Sequence, residues 1–533
     1  MKPYHLGPFL GVNNRLPDFA LRVPKEGDFL AAAENVDIDN AGRIRSAPGF
    51  AILEEMTEPH SLKMIDASAG YMVRDSVLYS VTLPTYAETA VKTLTNNDPM
   101  RYAKIFGDWY FSNGTDVGRL SGAAEFPIGL PTPAAPSLAT IVGGLLTGKY
   151  LVATSYCRKS GSTLLEEGGI SPYASAELVA TGGLRVTLPG TATGATHVNV
   201  YLSACNGSLP YLLATVPAAD VTYDAVSLPQ GREASGRIEA PLPAGTLFEH
   251  MGRLCSFSGA SIYVGIPHRP GYYLPASGRL NFPATISIVV SAQTGVYVAA
   301  DKTYWIPGDI GDIQGQVVDV LPYGAVPGTE FSFPDNSRVG WFGAEGVVIA
   351  DTTGQAQPAM ADNVAVTPPP SGFSTVLESD GYKRVISCGW CLNLENNAAT
   401  AYVGWDFSSV SEGYGTLPDG IYQIGGDGPV ACMWDYGRLD FGSDELKYLP
   451  YAYARFGSPS LLEMTVSYTD DNDEWREYSV PSRGSSEVMR EQRFDLARGT
   501  RSTLYGIVVR NTDGARFVQS GAYFMPKHSN RRI

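Results

Sequence analysis

A short strand–turn–strand unit recurs through this chain and constrains its fold more than any other feature. Each copy has an aromatic-rich strand, a polar turn and a second strand that carries an aromatic residue. The copies lie at residues 71–79, 109–114, 254–263, 296–305, 341–349, 390–405 and 420–424. Apart from one long interval, their spacing is roughly 40 to 50 residues, which is typical of the four-stranded blades of a β-propeller. An ordinary stack of antiparallel hairpins is the alternative, because the copies share no blade signature.

The clearest hairpin occupies residues 35–50, near the N-terminus. Apolar and acidic residues alternate over residues 36–39, which is the two-residue period of a half-buried strand. Residues 40–42 supply a turn, in which Gly42 can adopt a positive φ. Residues 43–45 then return as a second alternating strand. The pattern therefore predicts a β-hairpin around which the rest of the chain is organised.

The spacing of the unit breaks once, between residues 111 and 254, where about 100 residues exceed one blade length. Proline-rich segments at 130–136 and 239–243 bracket this extra sequence and are typical of semi-rigid linkers. Turn residues separate alternating segments inside the brackets, at intervals typical of a β-sandwich. These segments are residues 150–156, 184–188, 198–202 and 211–216. The pattern predicts an independent sandwich inserted into a propeller loop.

The aromatic spacing stops near residue 429, but alternating segments continue at residues 462–468 and 504–509. We interpret this region as a second sandwich. The sequence thus predicts an all-β protein: a β-propeller of hairpin repeats, an inserted sandwich and a C-terminal β-sandwich. The predicted units are an N-terminal arm, the first part of the propeller, the insert, the remainder of the propeller and the C-terminal sandwich, at residues 1–30, 31–130, 134–240, 241–428 and 429–533.

Composition limits the classes of function. Abundant glycine (58), proline (37) and tyrosine (30), with only 17% charged residues, indicate strands joined by tight turns. The net charge of −15 disfavours a general nucleic-acid-binding surface, because phosphate neutralisation requires clustered lysine and arginine. An acidic surface repels DNA weakly, which suits a conduit better than a clamp. We expect no membrane span, since no run of 18 or more apolar residues and no signal-peptide core occur. Six scattered cysteines are typical of folding in a reducing cytosol.

Two motifs resemble chemical sites only superficially. Cys388 and Cys391 form a C-x-x-C pair, but their surroundings predict a continuous strand, on which residues i and i+3 face opposite sides. We therefore expect two unrelated strand cysteines. Residues 143–149 match G-x-x-x-x-G-K, but Tyr150 follows where a phosphate loop needs Ser or Thr, and a strand follows where it needs a helix. We expect this match to be the turn that enters the inserted sandwich.

The acidic run at residues 469–475 lacks the glycine and glutamate positions of a calcium loop, so a solvated hairpin tip is expected. The six histidines lack ligand spacing, and no particular carboxylate pair is marked for glycoside hydrolysis. Tyrosine and tryptophan could form a binding face or belong to strand cores, and the sequence leaves both open. We assign no catalytic, cofactor-binding or metal-binding residues and expect a protein that is not an enzyme.

Several short motifs resemble those of bacteriophage tail proteins. Residues 35–50, with Asn35 and Gly42 followed by Arg-Ile-Arg, resemble the opening of these proteins. Segments similar to their fibronectin-III-like insert lie at residues 148–150, 167–171, 200–201 and 223–224. Further similar segments lie at residues 405–407, 419–422, 440–442 and 531–533. Residues 199–203 depart from the family, in which an Arg-rich strand is common at this place.

The resemblance implies a structural virion component: a nozzle or hub in a short tail, or a tail-tip protein in a long one. It implies a fibronectin-III- or Ig-like insert, assembly rather than catalysis, and no cofactor. Implied partners are other tail proteins and further copies in a ring, with a hexamer favoured over a trimer. DNA would pass through an acidic lumen, and the tail would contact the host surface. The protein would be made in the host cytoplasm and reside in the virion tail. Two alternatives stay open, a receptor- or glycan-binding tail-tip adhesin and a propeller glycosidase.

Overall fold

A computed structural model describes residues 3–234, 239–312, 317–334, 336–426, 428–470, 474–496 and 500–528. Over these residues the protein is all-β, as predicted, and a 3₁₀ turn at Asp18–Ala20 is its helical element. No helix in the described part is long and apolar enough to span a membrane. The termini at residues 1–2 and 529–533, which include the predicted Arg-Arg-Ile end, lie outside the described residues.

Seven groups of four antiparallel strands form the blades of a β-propeller within the described residues; six are separate four-stranded sheets, and the seventh, blade 6, is part of a nine-stranded sheet. Blade 1 comprises the strands His60–Met64, Ala69–Arg74, Val77–Thr82 and Ala87–Thr93. Blade 2 comprises Arg101–Ile105, Asp108–Ser112, Val117–Ser121 and Ala124–Phe126. Blade 3 comprises Thr246–His250, Arg253–Ser258, Ser261–Tyr263 and Arg279–Asn281. Blade 4 comprises Ile288–Ala292, Gly295–Ala299, Thr303–Pro307 and Val318–Leu321. Blade 5 comprises Phe331–Ser332, Arg338–Gly343, Gly346–Asp351 and Ala356–Pro358. Blade 6 comprises Ser374–Ser379, Tyr382–Ser387, Trp390–Asn393 and Ala399–Ala401. Blade 7 comprises Gly49–Glu55, Ser409–Ser411, Tyr414–Leu417 and Gly420–Gly426. The predicted hairpin repeats are therefore confirmed as propeller blades.

The ring of blades is closed by a strand from the beginning of the chain. Gly49–Glu55 pairs antiparallel with Gly420–Gly426 and completes blade 7. Hydrophobic clusters fill the spaces between successive blades, and one of them joins blade 7 to blade 1 through Ile421, Leu62 and Met64. Sequence-distant ends thus meet in one sheet, which holds the propeller closed without a covalent bond.

A two-sheet sandwich lies between blades 2 and 3. One sheet contains Ser137–Leu145, Gly182–Thr187 and Thr222–Ala225; the other contains Thr163–Ile170, Gly148–Ser160, His197–Ser203 and Pro210–Pro217, with Ala174–Leu178 on Gly148–Ser160. Buried aliphatic and tyrosine side chains from both sheets, including Tyr150, Val186 and Val200, form its core. Its fibronectin-III-like character stays a prediction. A small sheet of Ala240–Pro241, Gly265–Ile266 and Arg269–Tyr273 lies where the chain returns to the propeller.

The remaining strands form a second two-sheet unit, which we call the platform. One sheet contains Ser486–Asp495, Tyr451–Ser458, Val518–Phe524, Ile44–Ser46 and Val36–Ile38, with Tyr4–Leu6 on Val518–Phe524. The other extends blade 6 through Ala32–Glu34, Cys432–Leu439, Tyr505–Asn511, Glu463–Thr469 and Trp475–Pro481. Smaller sheets contain Phe9–Val12, Gly27–Leu30 and Arg22–Val23, and Lys447–Tyr448 and Lys527–His528. Blade 6 and the platform therefore share one continuous sheet.

The N-terminal region differs from the predicted units. The hairpin of Val36–Ile38 and Ile44–Ser46 forms in the expected register, but it pairs with Val518–Phe524 in the platform and not with the propeller. Residues 1–30 were predicted as an extended arm, whereas Tyr4–Leu6 also pairs with Val518–Phe524. The physical reason is that a two-residue period identifies a strand but not its partner, which here lies more than 470 residues away.

Candidate functional site

The hairpin motif is fastened to blade 6 through a buried carboxylate. Asp37, only 2% exposed, accepts hydrogen bonds from the hydroxyls of Tyr402 (2.6 Å) and Tyr382 (3.0 Å) and forms an ion pair with Arg384. The Cys391 thiol donates to the same carboxylate at 3.3 Å. Burial raises the pKa of Cys391 to about 11 and the pKa of Tyr402 well above its ordinary value, so both stay protonated donors. This cluster holds the N-terminal hairpin against the propeller.

The turn of the same hairpin is organised by Asp39. Its carboxylate accepts hydrogen bonds from the backbone N–H groups of Ala41 (2.9 Å) and Arg43 (3.0 Å) and from the Arg43 Nε at 2.7 Å. Arg45 Nε lies 3.4 Å from Oδ2, the carboxylate oxygen that also accepts from Arg43 Nε. Gly42 has φ +71°, the left-handed conformation that the sequence predicts. The Gly-Arg-Ile-Arg segment therefore pairs with Asp39 and stabilises the turn.

Other motif residues meet where the propeller closes. Phe50, on the closing strand, contacts Trp405, Phe407 and Tyr422 edge-to-face, with ring centroids 5.6, 5.2 and 5.5 Å apart. Tyr402, which also binds Asp37, lies 4.9 Å from the Trp405 ring. Aromatic pairs in this geometry stabilise beyond their buried area. The segments around residues 50, 405 and 422 thus share the role of closing the ring.

The insert is attached to the propeller through Glu166. Its carboxylate accepts hydrogen bonds from Arg158 (2.7 Å) within the insert and from the Tyr272 hydroxyl (2.8 Å) beside blade 3. The Tyr272 hydroxyl also accepts the N–H of Leu130 at 2.6 Å, in the linker that leads to the insert. One tyrosine therefore joins the insert, the linker and the propeller.

Glu167 adds a second attachment through its side chain and backbone. Its carboxylate accepts hydrogen bonds from Ser155 (2.5 Å), Asn199 (2.8 Å), Tyr201 and Arg232, all within the insert. Its carbonyl oxygen accepts a hydrogen bond from Arg269 of the propeller side, at 2.5 Å. Glu167 therefore links the hydrogen-bond network inside the insert to Arg269 on the propeller side.

Gly169 permits the close approach that this junction needs. A Cβ atom at Gly169 would lie 1.9 Å from the carbonyl oxygen of Glu239, where the chain leaves the insert. Arg269 binds the Glu239 carboxylate at 2.8 Å, so the same arginine that binds Glu167 also holds the segment that leaves the insert. Only glycine leaves room for the backbone here.

We expect the attachment to weaken in acid. Burial raises the pKa of Glu167, but the hydrogen bonds from Ser155, Tyr201, Asn199 and Arg232 outweigh it and hold the pKa below the ordinary 4.5. A depressed folded-state pKa gives stability that is present above pH 4.5 and is lost as the pH falls through the folded-state value.

Glu167→Gln should therefore lower the free energy of unfolding by about 2 kcal/mol at pH 7, with the difference from wild type shrinking below pH 4.5. Urea unfolding at pH 7, 5 and 3 measures this difference. The control is Glu177→Gln, an exposed glutamate of the same insert, which should match wild type at each pH. An undiminished Glu167→Gln difference at pH 3 would contradict the assignment.

A groove of about 610 Å³ lies in the platform. Tyr4, Phe19 and Leu504 contribute apolar lining, and Asp18 and Asp440 contribute carboxylates. The Phe19 ring is largely exposed to solvent. Arg22 and Arg438 also line the groove, and Arg438 pairs with Asp18 at 3.8 Å, so the exposed aromatic ring lies beside an ion pair.

A buried lysine fixes the loop beside this groove. Lys447 Nζ donates to the carbonyl oxygens of Asp440 (2.7 Å), Ser443 (2.5 Å) and Thr503 (3.0 Å). The side chain of Lys447 has no exposed surface, and burial lowers its pKa. Three carbonyl acceptors compensate for the desolvation of the ammonium group.

The axis of the propeller is spanned by an ion pair. The first strands of neighbouring blades pack against one another, as between blades 2 and 3 and between blades 5 and 6, and so surround the axis. Arg101 begins the first strand of blade 2, and Glu330 directly precedes that of blade 5. Their charged groups lie 3.3 Å apart, although three blade steps separate them around the ring. Side chains therefore cross the central channel at this level.

The C-x-x-C pair and the G-x-x-x-x-G-K match both lie where one strand turns into the next. Cys388 and Gly389 form the turn between Tyr382–Ser387 and Trp390–Asn393, with φ of +49° and +75°. The predicted continuous strand is thus wrong at these two residues, because the chain reverses there. Both cysteines are free thiols, and only Cys391 lies on a strand. Residues 143–149 span the end of Ser137–Leu145, a turn at residues 146–147 and the start of Gly148–Ser160, so the motif lies within the insert and not at its beginning.

The remaining candidates stay dispersed. His250 is buried and bonds Ser291 (2.8 Å) and the carbonyl of Gly308 (2.9 Å), and burial lowers its pKa. His528 pairs with Glu445 at 2.7 Å. Among the described residues, no group of three or more His, Cys, Asp and Glu side chains is placed to hold a metal. Residues 471–473 of the acidic run lie outside the described residues.

No family model and no curated protein matches this chain. The WD40 β-propeller domain of Doa1 is similar over 66% of this chain and 96% of its own, at 10% identity and a TM-score of 0.25. YCF48 bound to D1 peptide is similar over 64% and 92%, at 11% identity and a TM-score of 0.26. A glycoside hydrolase family 43 arabinoxylan arabinofuranohydrolase from Bacillus subtilis is similar over 75% and 96%, at 11% identity and a TM-score of 0.19. At these TM-scores the likenesses carry no argument about activity.

Proposed function

We propose that this chain is a structural subunit of a bacteriophage tail, in a nozzle or hub ring or at the distal tip. The observation that carries the proposal is where the tail-protein-like motifs lie. Asp37 joins the hairpin to blade 6, and Phe50 and Trp405 close the ring. Glu167 joins the insert to Arg269 on the propeller side. Motif residues used for contacts between units are what a rigid assembly component requires.

The continuous sheets support the same role. Blade 6 extends into the platform through Ala32–Glu34, which pairs with Ala399–Ala401 on one side and Cys432–Leu439 on the other. The link on the blade 6 side is the single pair Ala401 and Glu34, with the N–H of Asn35 donating to the carbonyl oxygen of Ala401 at 2.8 Å, and bending between propeller and platform would break it. The subunit would therefore transmit force and position as one body.

A conduit for DNA would lie between subunits. The Arg101–Glu330 ion pair joins blades 2 and 5 across the propeller's own axis, so the propeller's channel is obstructed by side chains at that level. A ring of copies, with a hexamer favoured over a trimer, would enclose a wider channel. The net charge of −15 per chain would keep its acidic wall from adhering to phosphate.

Electron microscopy tests this proposal. We expect the purified protein to form a closed ring with a central channel, and gold-labelled antibody to mark the tail beneath the portal in intact particles. The reconstructed channel should be lined by aspartate and glutamate. A neutral or basic lumen would overturn the conduit.

A second candidate is a receptor- or glycan-binding tail-tip adhesin, which the platform groove favours. Phe19 exposes an aromatic face beside the paired Asp18 and Arg438, a combination of ring and charged groups suited to stacking on sugar rings and binding their hydroxyls. In the same imaging experiment, a monomer or trimer labelled only at the far tip would favour this function over the ring. The absence of catalytic residues stays an expectation, and we do not propose a glycosidase.

A further inference from the structure

One end of the inserted sandwich exposes aliphatic side chains. Val142 is 95% exposed, Val179 90% and Leu146 62%, and Leu209, Val226 and Leu228 are also exposed. They lie on four neighbouring segments of strand ends and turns, residues 142–148, 179–183, 204–209 and 226–230, which we call the uncharged end. Aliphatic residues this exposed and this close together are unusual on a soluble surface and mark an interaction site.

The four segments meet at the same end of the sandwich. The N–H of Gly144 donates to the carbonyl oxygen of Val226 at 3.2 Å, and Leu145 pairs with Gly182. The N–H of Asn206 donates to the carbonyl oxygen of Lys149 at 2.8 Å, directly after the first segment. The backbones of these segments therefore lie next to one another at this end of the sandwich.

This end carries no charged residue and no histidine. The nearest charged residues lie one or two positions from these segments along the chain. Lys149 and Glu177 are opposite each other in the strand register, and Arg185 binds Asp224 through two contacts of 2.7 Å. The boundary between a charged body and an uncharged end is therefore sharp, although the whole chain has a net charge of −15.

The uncharged end also lies far from the attachment to the propeller. Glu167 pairs with Cys157, nine residues along the strand that begins at Gly148. At about 3.3 Å per residue, the end lies on the order of 30 Å from the Glu167 junction. The attachment at Glu167 therefore keeps this end of the insert at a distance from the propeller.

The residue types favour a lipid surface over a protein partner. Protein interfaces are anchored by tyrosine, tryptophan and arginine and use about 20–30 residues on each side. The uncharged end has none of these anchors and only six exposed large aliphatic side chains. A bilayer requires only apolar side chains and the absence of charge, because charge is costly in hydrocarbon.

We propose that the uncharged end inserts into the interfacial region of an electrically neutral lipid bilayer. Its valine and leucine side chains reach the acyl boundary, at a depth of about 5–10 Å. The backbone of these segments stays at the headgroups, because its N–H and C=O groups need water as a partner. The acidic chain disfavours anionic lipid, so the surface it takes is zwitterionic. This inference goes beyond the proposed tail function and does not depend on it.

Flotation of the full chain with phosphatidylcholine vesicles tests the proposal. We expect wild type to float equally at about 0.1 and 1 M salt, since charge plays no part. Val142→Asp/Val179→Asp should reduce the bound fraction about tenfold or more. Both side chains are almost fully exposed, so the variant keeps the fold. The matched control is Val403→Asp/Val488→Asp, two exposed valines outside the insert, which should float like wild type.

A second measurement locates the inserted residue. Val179→Cys and Val488→Cys, each made with Cys205→Ser and Cys388→Ser to remove the less buried thiols, carry an environment-sensitive dye. Vesicles should shift the emission to the blue only at position 179. No flotation of wild type, or equal flotation of the Val142→Asp/Val179→Asp variant, would overturn the proposal. Dimers that this variant abolishes, without flotation of wild type, would overturn it in favour of a second copy.

Discussion

Replacing Asp37 with alanine is expected to lower the free energy of unfolding by about 3–5 kcal/mol. The variant leaves the guanidinium of Arg384, which has no exposed surface, without its buried counter-ion. The hydroxyls of Tyr382 and Tyr402 also lose their acceptor. Urea unfolding followed by tryptophan fluorescence measures the loss.

Two further variants separate charge from packing. Glu378→Ala removes an exposed pair with Lys383 (3.4 Å) in the same blade and should cost less than about 1 kcal/mol. Asp37→Leu/Arg384→Met removes both buried charges and should recover much of the stability lost in Asp37→Ala. A loss below about 1 kcal/mol for Asp37→Ala would contradict the role assigned to this carboxylate.

Local patterns predicted local structure well. The strand over residues 36–38, the turn at Gly42 and the return strand all appear in the structure. The predicted half-buried strand is wrong, because Asp37 and Asp39 are buried as well, 2% and 4% exposed, where they bind Arg384 and Arg43. The aromatic repeat likewise predicted the blades, because each blade repeats the same inward-facing pattern on its own strands. These features depend on residues that are close in the sequence.

Pairing across the chain could not be predicted in this way. Gly49–Glu55 pairs with Gly420–Gly426, and the N-terminal hairpin pairs with Val518–Phe524. Alternation specifies which face of a strand is buried but says nothing about which edge it joins. Ring closure, and the placement of residues 31–48 in the platform, therefore needed the structure.

Turn chemistry and exposure account for the other differences. Cys388 has φ +49° in the Cys388-Gly389 turn, a position where asparagine or aspartate usually signals the reversal. The Leu-Leu pair at residues 145–146 divides between core and solvent: Leu145 is buried, whereas Leu146 is exposed. Identical side chains in adjacent positions give no sequence signal for that difference, so the uncharged end could not be anticipated.

Trp405→Ala is the second variant with a large expected effect, a loss of about 3–5 kcal/mol. Trp405 is buried between the closing strand and blade 6, where its ring contacts Phe50 and Tyr402. The cavity left by the indole would remove the aromatic contact that supports the pairing of Gly49–Glu55 with Gly420–Gly426. We therefore expect the ring to open locally at blade 7 before the rest of the chain unfolds.

Hydrogen exchange distinguishes this local opening from general destabilisation. Trp341→Ala is the matched control, because Trp341 is equally buried but lies in the core between blades 4 and 5. Both variants should lose comparable stability, but only Trp405→Ala should accelerate exchange selectively in Gly49–Glu55 and Gly420–Gly426. Equal exchange of these strands in the two variants would mean that Trp405 contributes only buried volume. Selective exchange would establish that the aromatic cluster, built from residues more than 350 positions apart, is what keeps the propeller closed.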